Sequence, residues 1–333
     1  MSIFKKRYDL LAIGDTVTDA FIRLKDAHIT CKLDNTECEI CMKYGDKIPF
    51  EFVEICPAVG NSANAAVSAA RLGIETGILT YLGNDANGKE AIDTFKANGV
   101  GTDYVVTEKG KKTNYHYVLW YEADRTILIK HEDYNYKFPS IKEPKWIYLS
   151  SMAEHSLPYH QEITEYLKKH PKVKLAFQPG TFQMKFGLEA LADLYQRTEI
   201  FFCNKEEAER ILGIPTTDIK TLAVALHAKG PKIVVITDGP NGAYALENDV
   251  LYYMPLYPDP KPPYDRTGAG DAFSSTFTVA IMKGHTIAEA LTWAPINSMA
   301  VVQEVGAQKG LLTEAELNAW LAKAPADYKV KVL

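Results

Sequence analysis

The stretch TGILTYLGNDANGKEAIDTFKANGV, Thr76 to Val100, joins a short β-branched run to a helical pattern opening at an Asn-Asp pair and closing on Asn-Gly. The unit recurs. WIYLSS, Trp146 to Ser151, precedes HQEITEYLKKH, His160 to His170, and KIVVITD, Lys232 to Asp238, is another such run. Strands alternating with helices predict a mainly parallel sheet covered by helices on both faces, a three-layer α/β sandwich. Two segments break the rhythm: residues 20–54 and 104–131 lack helical periodicity, and the second reads as a hairpin turning at Glu122 to Arg125. They predict a small β-sheet lid at 20–54 and 104–131 over an α/β core formed by 1–19, 55–103 and 132–333.

The 333 residues are 47% hydrophobic and 24% charged, with a net charge of -5, an ordinary globule with no electrostatic reason to seek nucleic acid or anionic lipid. Leu10 to Ile13 is too short an apolar run for a signal peptide, and no stretch is long enough to span a bilayer. Five cysteines fit a reducing cytoplasm better than a disulfide framework. His28, Cys31, Cys38 and Cys41 have zinc-like spacing, but the bulky Met42-Lys43-Tyr44 after the cysteine pair favours thiols that merely pack in a lid strand.

In open α/β sheets ligands sit beyond the carboxyl ends of the strands. Three loops there carry chemistry. YDLLAIGDTVTDAFIRL ends its strand at Gly14, Asp15 and then Asp19, which alone reads as a loop acid. GNSANAAVSAARLG sets Gly60, Asn61 and Asn64 before an alanine-rich helix, and the Asn64 amide can both donate to and accept from a sugar hydroxyl. DRTGAGDAFSSTF, Asp265 to Phe277, sets Gly268, Ala269 and Gly270 against Asp271 where a loop becomes an apolar helix. Backbone without bulk at a helix start is an anion cradle, and an acid beside it suggests proton handling.

DRTGAGDAF, with GNSANAAVSAARLG and YLGNDANGKEAIDTFKANGV, resembles the ribokinase-like (PfkB) family of carbohydrate and nucleoside kinases over nearly the whole chain. The resemblance implies transfer of the γ-phosphate of ATP, with Mg²⁺, to a hydroxyl of a sugar or nucleoside. Asp271 matches the family's catalytic base, and Gly268, Ala269 and Gly270 match its anion hole. Asp19, Gly60, Asn61 and Asn64 match its substrate contacts. Asn204 and Glu207 in FFCNKEEAERILG match the Asn-x-x-Glu arrangement that positions Mg²⁺ and phosphate through water, although Glu207 alone reads as a first-turn helix acid. Thr237, Gly239 and Gly242 resemble the nucleotide-phosphate loop, and Asn297 and the Gly306 region the adenine wall. Carbonyls of the Asp265 loop correspond to those that hold K⁺ in some members.

The chain departs from the family pattern twice. Val59-Gly60 replaces a Gly-Gly pair, and Arg266, which either reaches the nucleotide phosphates or stays solvated, replaces a small hydroxyl residue. A kinase of an already phosphorylated sugar would need basic side chains over the pocket, for which Lys47, Arg125 and Lys130 are candidates. A non-catalytic binding protein of the same fold would have no use for Asp271. The apolar lid residues Val118, Trp120, Ile127 and Ile129 suggest a homodimer paired through the lids.

Overall fold

The structure is a computed structural model, describing residues 5–31, 38–122, 124–215 and 218–333. A nine-stranded sheet runs through the core. From one edge these are β17 (Lys331–Val332), β16 (Val250–Met254), β15 (Ala243–Glu247), β14 (Ile233–Thr237), β13 (Ile200–Asn204), β12 (Lys174–Phe177), β11 (Trp146–Leu149), β1 (Leu10–Ile13) and β6 (Thr76–Leu79). Pairing is parallel from β14 to β6 and antiparallel from β14 to β17. The mainly parallel sheet expected from the strand–helix alternation is therefore present, with an antiparallel edge added.

Side-chain alternation explains why both faces are covered. Leu10 and Ala12 of β1 join one core, whereas Leu11 and Ile13 join the other. The first face carries α1 (Asn61–Arg71), α2 (Ala86–Ala97), α8 (Ala269–Met282), α9 (Ile287–Val301) and α10 (Glu314–Leu321), whose apolar residues fill that core. The second carries α3 (Leu157–Lys169), α5 (Ala192–Gln196), α6 (Lys205–Leu212) and α7 (Ile219–His227), with α4 (Thr181–Ala190) beside α6. Caps fix where helices start: the Asp85 side chain accepts from Gly88 N, and Thr313 with Glu316 closes the capping box anticipated for α10. Among the described residues no helix is long and apolar enough to cross a membrane.

The lid is a four-stranded sheet, ordered β10 (Asp124–Leu128), β9 (Asn114–Tyr121), β2 (Val17–Leu24) and β5 (Phe50–Val59). Its strands begin nearer the core than the expected limits of 20 and 54, because β2 leaves directly from the loop after β1 and β5 runs straight into α1. Residues at the start of the second lid segment instead form β8 (Val106–Glu108), which pairs with β7 (Tyr81–Gly83) on the core. The expected hairpin joins β9 to β10, with Tyr121 paired to Asp124; Ala123 of its turn lies outside the described residues.

Two expectations about the lid need correction. Val118 and Trp120 do not form an exposed apolar surface: they are buried with Phe21 and Val305. The register aligns Phe21, Val118 and Ile127 on the inner face and Ala20, Tyr117, Leu128 and Ile55 on the outer one. The outward apolar face is therefore built from Ile55, Tyr117 and Leu128, all about half exposed, while Ile127 and Ile129 are exposed as expected but border the cavity beneath the lid. The second correction concerns the cysteines. In the hairpin of β3 (His28–Cys31) and β4 (Cys38–Cys41), Cys31 pairs directly with Cys38, and the two form a disulfide rather than free packing thiols. His28 and Cys41, three residues along their strands, lie on the opposite face, where the Cys41 thiol meets the Thr30 hydroxyl at 3.7 Å.

Candidate active site

Every loop flagged in the sequence converges beyond the carboxyl ends of β1, β12, β13 and β14, beneath the lid. The Asp265 carboxylate is buried and folds its own loop, accepting from Thr267 N at 2.9 Å, Thr267 Oγ1 at 2.7 Å and Gly306 N at 2.9 Å. That turn leads into Gly268, whose φ of 80° and contact with Ala307 leave no room for a Cβ. α8 starts at the next residue, and among the described residues no side chain caps it. At Gly270 a Cβ would meet open space within the cavity, so the first turn presents bare backbone to it.

Asp271 lies in that first turn, buried, with three amides on its carboxylate. Asn61 Nδ2 donates to Oδ1 at 2.7 Å, Asn64 Nδ2 to Oδ2 at 2.7 Å and Gln178 Nε2 to Oδ1 at 3.0 Å. Burial raises the Asp271 pKa above the ordinary aspartate range, and the amides from Asn64, Asn61 and Gln178 pull against that rise. The amides are themselves held. Gln308 Nε2 donates to Asn64 Oδ1 at 3.0 Å, and the Tyr148 hydroxyl donates to Gln178 Oε1 at 2.6 Å. Asn61 and Asn64, expected as substrate contacts, thus meet Asp271 directly. Gln178, Tyr148 and Gln308 escaped the sequence reading because none lies in a recognisable motif.

On the lid side, the cavity of about 490 Å³ holding Asp271 is also lined by Asp15, Asp19, Gly60, His116 and His131. Gly60, at φ 113°, starts α1, and a Cβ there would approach Asp15 O to 2.7 Å, so a side chain is excluded from this turn. Asp15 accepts from Tyr136 Oη at 2.8 and 3.0 Å and from Ala153 N at 2.9 Å.

On the opposite side, Asn204 and Glu207 form a reciprocal capping box at the start of α6, with Glu207 N donating to Asn204 Oδ1 at 2.8 Å and Asn204 N to Glu207 Oε2 at 2.9 Å. Both still line the cavity, and burial raises the Glu207 pKa. A second cavity of about 370 Å³ adjoins the first, sharing Thr237, Arg266, Ala269, Gly270 and Phe273 with it. Gly239 and Gly242 line it, and a Cβ on Gly242 would strike Met254 O. Its remaining wall is largely apolar, with Pro255, Leu256, Pro295, Met299 and Val302.

Two residues expected at the adenine wall lie elsewhere. Asn297 is fully buried: Nδ2 donates to Thr276 Oγ1 at 2.8 Å and Oδ1 accepts from Leu312 N at 2.9 Å, so the side chain ties α9 to α8 and to the chain before α10. Its neighbours Pro295 and Ser298 face the cavity instead. Gly306 sits under the lid, where a Cβ would approach Cys56 Sγ to 2.9 Å. An apolar slot opening onto bare helix N–H groups and a buried acid fits a nucleotide with its phosphates at the cradle, and Glu207 beside them fits a hydrated divalent ion.

A three-layer α/β core with a small β-sheet lid over the site is the ribokinase-like fold. Residues 57–314 match the pfkB family carbohydrate kinase model, and the chain belongs to that family. It is 28% identical over 274 residues to the bifunctional ribokinase/ribose-5-phosphate isomerase A of Fructilactobacillus sanfranciscensis, covering 78% of this chain and 49% of that protein, so it spans about half of that relative's length. Ribokinase of Bacillus subtilis is 26% identical over 272 residues, covering 79% of this chain and 87% of the relative. In fold, the structure of Arabidopsis thaliana ribokinase complexed with ribose and ATP superposes with a TM-score of 0.77 at 22% identity, covering 95% of this chain and 99% of that one.

Proposed function

We propose that this chain transfers the γ-phosphate of ATP to a hydroxyl of a small sugar or nucleoside. The observation that carries the reading is the position of Asp271, a buried carboxylate at the uncapped start of α8, where the two cavities meet. The acceptor hydroxyl gives its proton to the Asp271 carboxylate as its oxygen forms a bond to the γ-phosphorus, and the bond from that phosphorus to the ADP oxygen breaks. The backbone of the Gly268–Gly270 turn, in which Ala269 N also reaches Arg266 O at 3.5 Å, faces the charge that spreads over the migrating phosphoryl group. Asn61, Asn64 and Gln178 aim the carboxylate and favour its ionised form, opposing the larger effect of burial. Mg²⁺, when bound, neutralises phosphate charge, and Glu207 with Asn204 would hold it through water. Carbonyls of the Asp265 loop would hold K⁺. An assay of ADP release across neutral sugars, sugar phosphates and nucleosides tests the reading, which fails if no acceptor stimulates release.

A kinase of a phosphorylated sugar is less favoured. Of Lys47, Arg125 and Lys130, Arg125 lines the cavity, but its Nη1 lies 3.7 Å from Asp265 Oδ1, so its charge already faces a carboxylate. Lys130 follows the cavity-lining Ile129 and is exposed, as is Lys47. The outer face of the lid, apolar at Ile55, Tyr117 and Leu128, supports a homodimer in which a second copy covers it.

A further inference from the structure

We infer that Gln308 is a positioning residue for the transfer step: its side chain fixes which end of the Asn64 amide faces Asp271 and ties that choice to the point where the lid rejoins the core. The inference rests on the kinase reading and deepens it, naming a control on the base from outside the three amides that touch it. Gln308 lies in the connection between α9 and α10, 244 residues beyond Asn64 in the chain. From there Nε2 donates twice, to Asn64 Oδ1 at 3.0 Å and to Ala58 O at 2.7 Å. Its backbone is clamped separately. Arg71 Nη1 donates to Gln308 O and to Leu311 O, both at 2.8 Å, and Nη2 to Asn98 Oδ1 at 3.0 Å. Asn64 and Arg71 stand about two turns apart on one face of α1, which therefore holds the Gln308 segment at two points.

An amide has nearly the same outline either way round, so its hydrogen bonds decide its orientation. Asn64 Nδ2 donates to Asp271 Oδ2 at 2.7 Å, which suits an ionised carboxylate. A protonated Asp271 would itself donate, and the Asn64 amide would gain by turning its oxygen towards it. Gln308 opposes that turn, because a reversed Asn64 would set its NH2 group against the NH2 group of Gln308. Nor can the Gln308 amide reverse to make way, since Ala58 O would then face an oxygen. Asn64 is thus locked as a donor, and its bond lowers the proton affinity of Asp271 against the larger effect of burial. Ala58 marks the place where the lid strand β5 runs into α1. It is fully buried, and its φ of 58° lies in the left-handed region that alanine rarely adopts, so its surroundings hold it there. The residues just before Gln308 reach the lid and the cradle: Val305 clusters with Phe21 and Trp120 of the lid, and Ala307 lies against Gly268. One short segment therefore touches lid, cradle and base.

The ionisation of Asp271 in the full chain tests this, read by NMR from its carboxyl carbon over a pH series, assigned with Asp271→Asn, and accompanied by ADP release from the same proteins. Glu207 and Tyr148 are titratable groups whose charge couples to Asp271, and Asp15, Asp19, His116, His131, Arg125 and Arg266 share its cavity. All are retained in the variants, so a difference from wild type isolates the Gln308 contact. Gln308→Met keeps the bulk and removes the donor. It should raise the Asp271 midpoint by about half a unit to one unit, the effect of one hydrogen bond, and move the acid limb of the pH–rate profile upward by the same amount. At neutral pH kcat should fall about fivefold with the KM for ATP unchanged. Gln308→Glu keeps the outline of the side chain and sets acceptors against Asn64 Oδ1, so it should move the midpoint further in the same direction, and it carries the test if methionine disturbs the loop. The inference is overturned if either variant, folded and melting near wild type, leaves the Asp271 midpoint and the acid limb unmoved. If wild type releases no ADP with any acceptor while the midpoint still moves, the kinase reading fails and the Gln308 alignment of Asp271 stands.

Discussion

Gln178 donates from Nε2 to Asp271 Oδ1 across 3.0 Å, although β12 and α8 bring the two together from 93 residues apart. The Tyr148 phenol fixes which end of the amide points at the acid, and burial, reinforced by Asp271, raises its pKa well above the usual range, so it remains a neutral donor. Tyr148→Phe removes that donor without changing the ring. A net hydrogen bond is worth about 1 kcal/mol, so kcat should fall about fivefold with the KM for ATP unchanged. Gln178→Leu should cost at least as much. Unaltered kcat in both variants would show that Asp271 needs no such alignment.

Two neighbouring glycines should respond in opposite ways. Gly268 is held at φ 80° against Ala307, so Gly268→Ala combines backbone strain of about 1–3 kcal/mol with a steric clash and should lower the melting temperature sharply. At Gly270 the missing Cβ faces open cavity, and alanine is the better helix former by up to about 1 kcal/mol. Gly270→Ala should therefore be as stable as wild type or more so, yet lose about a hundredfold or more in turnover because the methyl group occupies the cradle. A fully active Gly270→Ala protein would remove the anion-hole assignment.

The lid pairing is tested by charge on its outer face. Ile55 and Leu128 lie on the same outward row as Tyr117 and are each about half exposed. Sedimentation of the wild type at micromolar concentration should show a dimer, and Ile55→Glu with Leu128→Glu should give a monomer that still melts cooperatively. A wild-type monomer would refute the pairing.

The physical reach of local pattern explains what the sequence made visible. Asp271 and the Gly268–Gly270 turn were legible because a helix start, a Cβ-free backbone and a nearby acid are adjacent in the chain, and the β-α alternation gave the layered core for the same reason. Strand parity in the lid was not legible. Val118 and Trp120 alternate as half-buried residues would, but which face meets the core depends on the register with β2, a pairing 97 residues away at Phe21–Val118. Asn297 was misplaced because helix phase, one residue from Ser298 and two from Pro295, decides between core and cavity. His116 and His131 carried no motif and became a ring pair through tertiary folding alone.

The strongest test is Asp271→Asn. Asparagine offers one acceptor oxygen and one NH2 group where aspartate offers two acceptor oxygens, so at least one of the amides of Asn61, Asn64 and Gln178 would face a donor, at a cost of about 1–3 kcal/mol. Against this, the substitution removes a buried charge. Because burial raises the Asp271 pKa, its ionisation opposes folding: the stability linked to this group is complete below the unfolded aspartate range and is lost as pH rises through the higher folded value. The melting-temperature advantage of wild type over Asp271→Asn should thus shrink as pH rises across that window. Turnover has the opposite sign, because the base works ionised. The acid limb of the wild-type pH–rate profile should lie above the ordinary aspartate range, and Asp271→Asn should lose the limb together with about 10²–10⁴ in kcat. Melting curves and kcat of both proteins, measured on one pH series, check both signs, and near-normal turnover of the variant would refute Asp271 as the base.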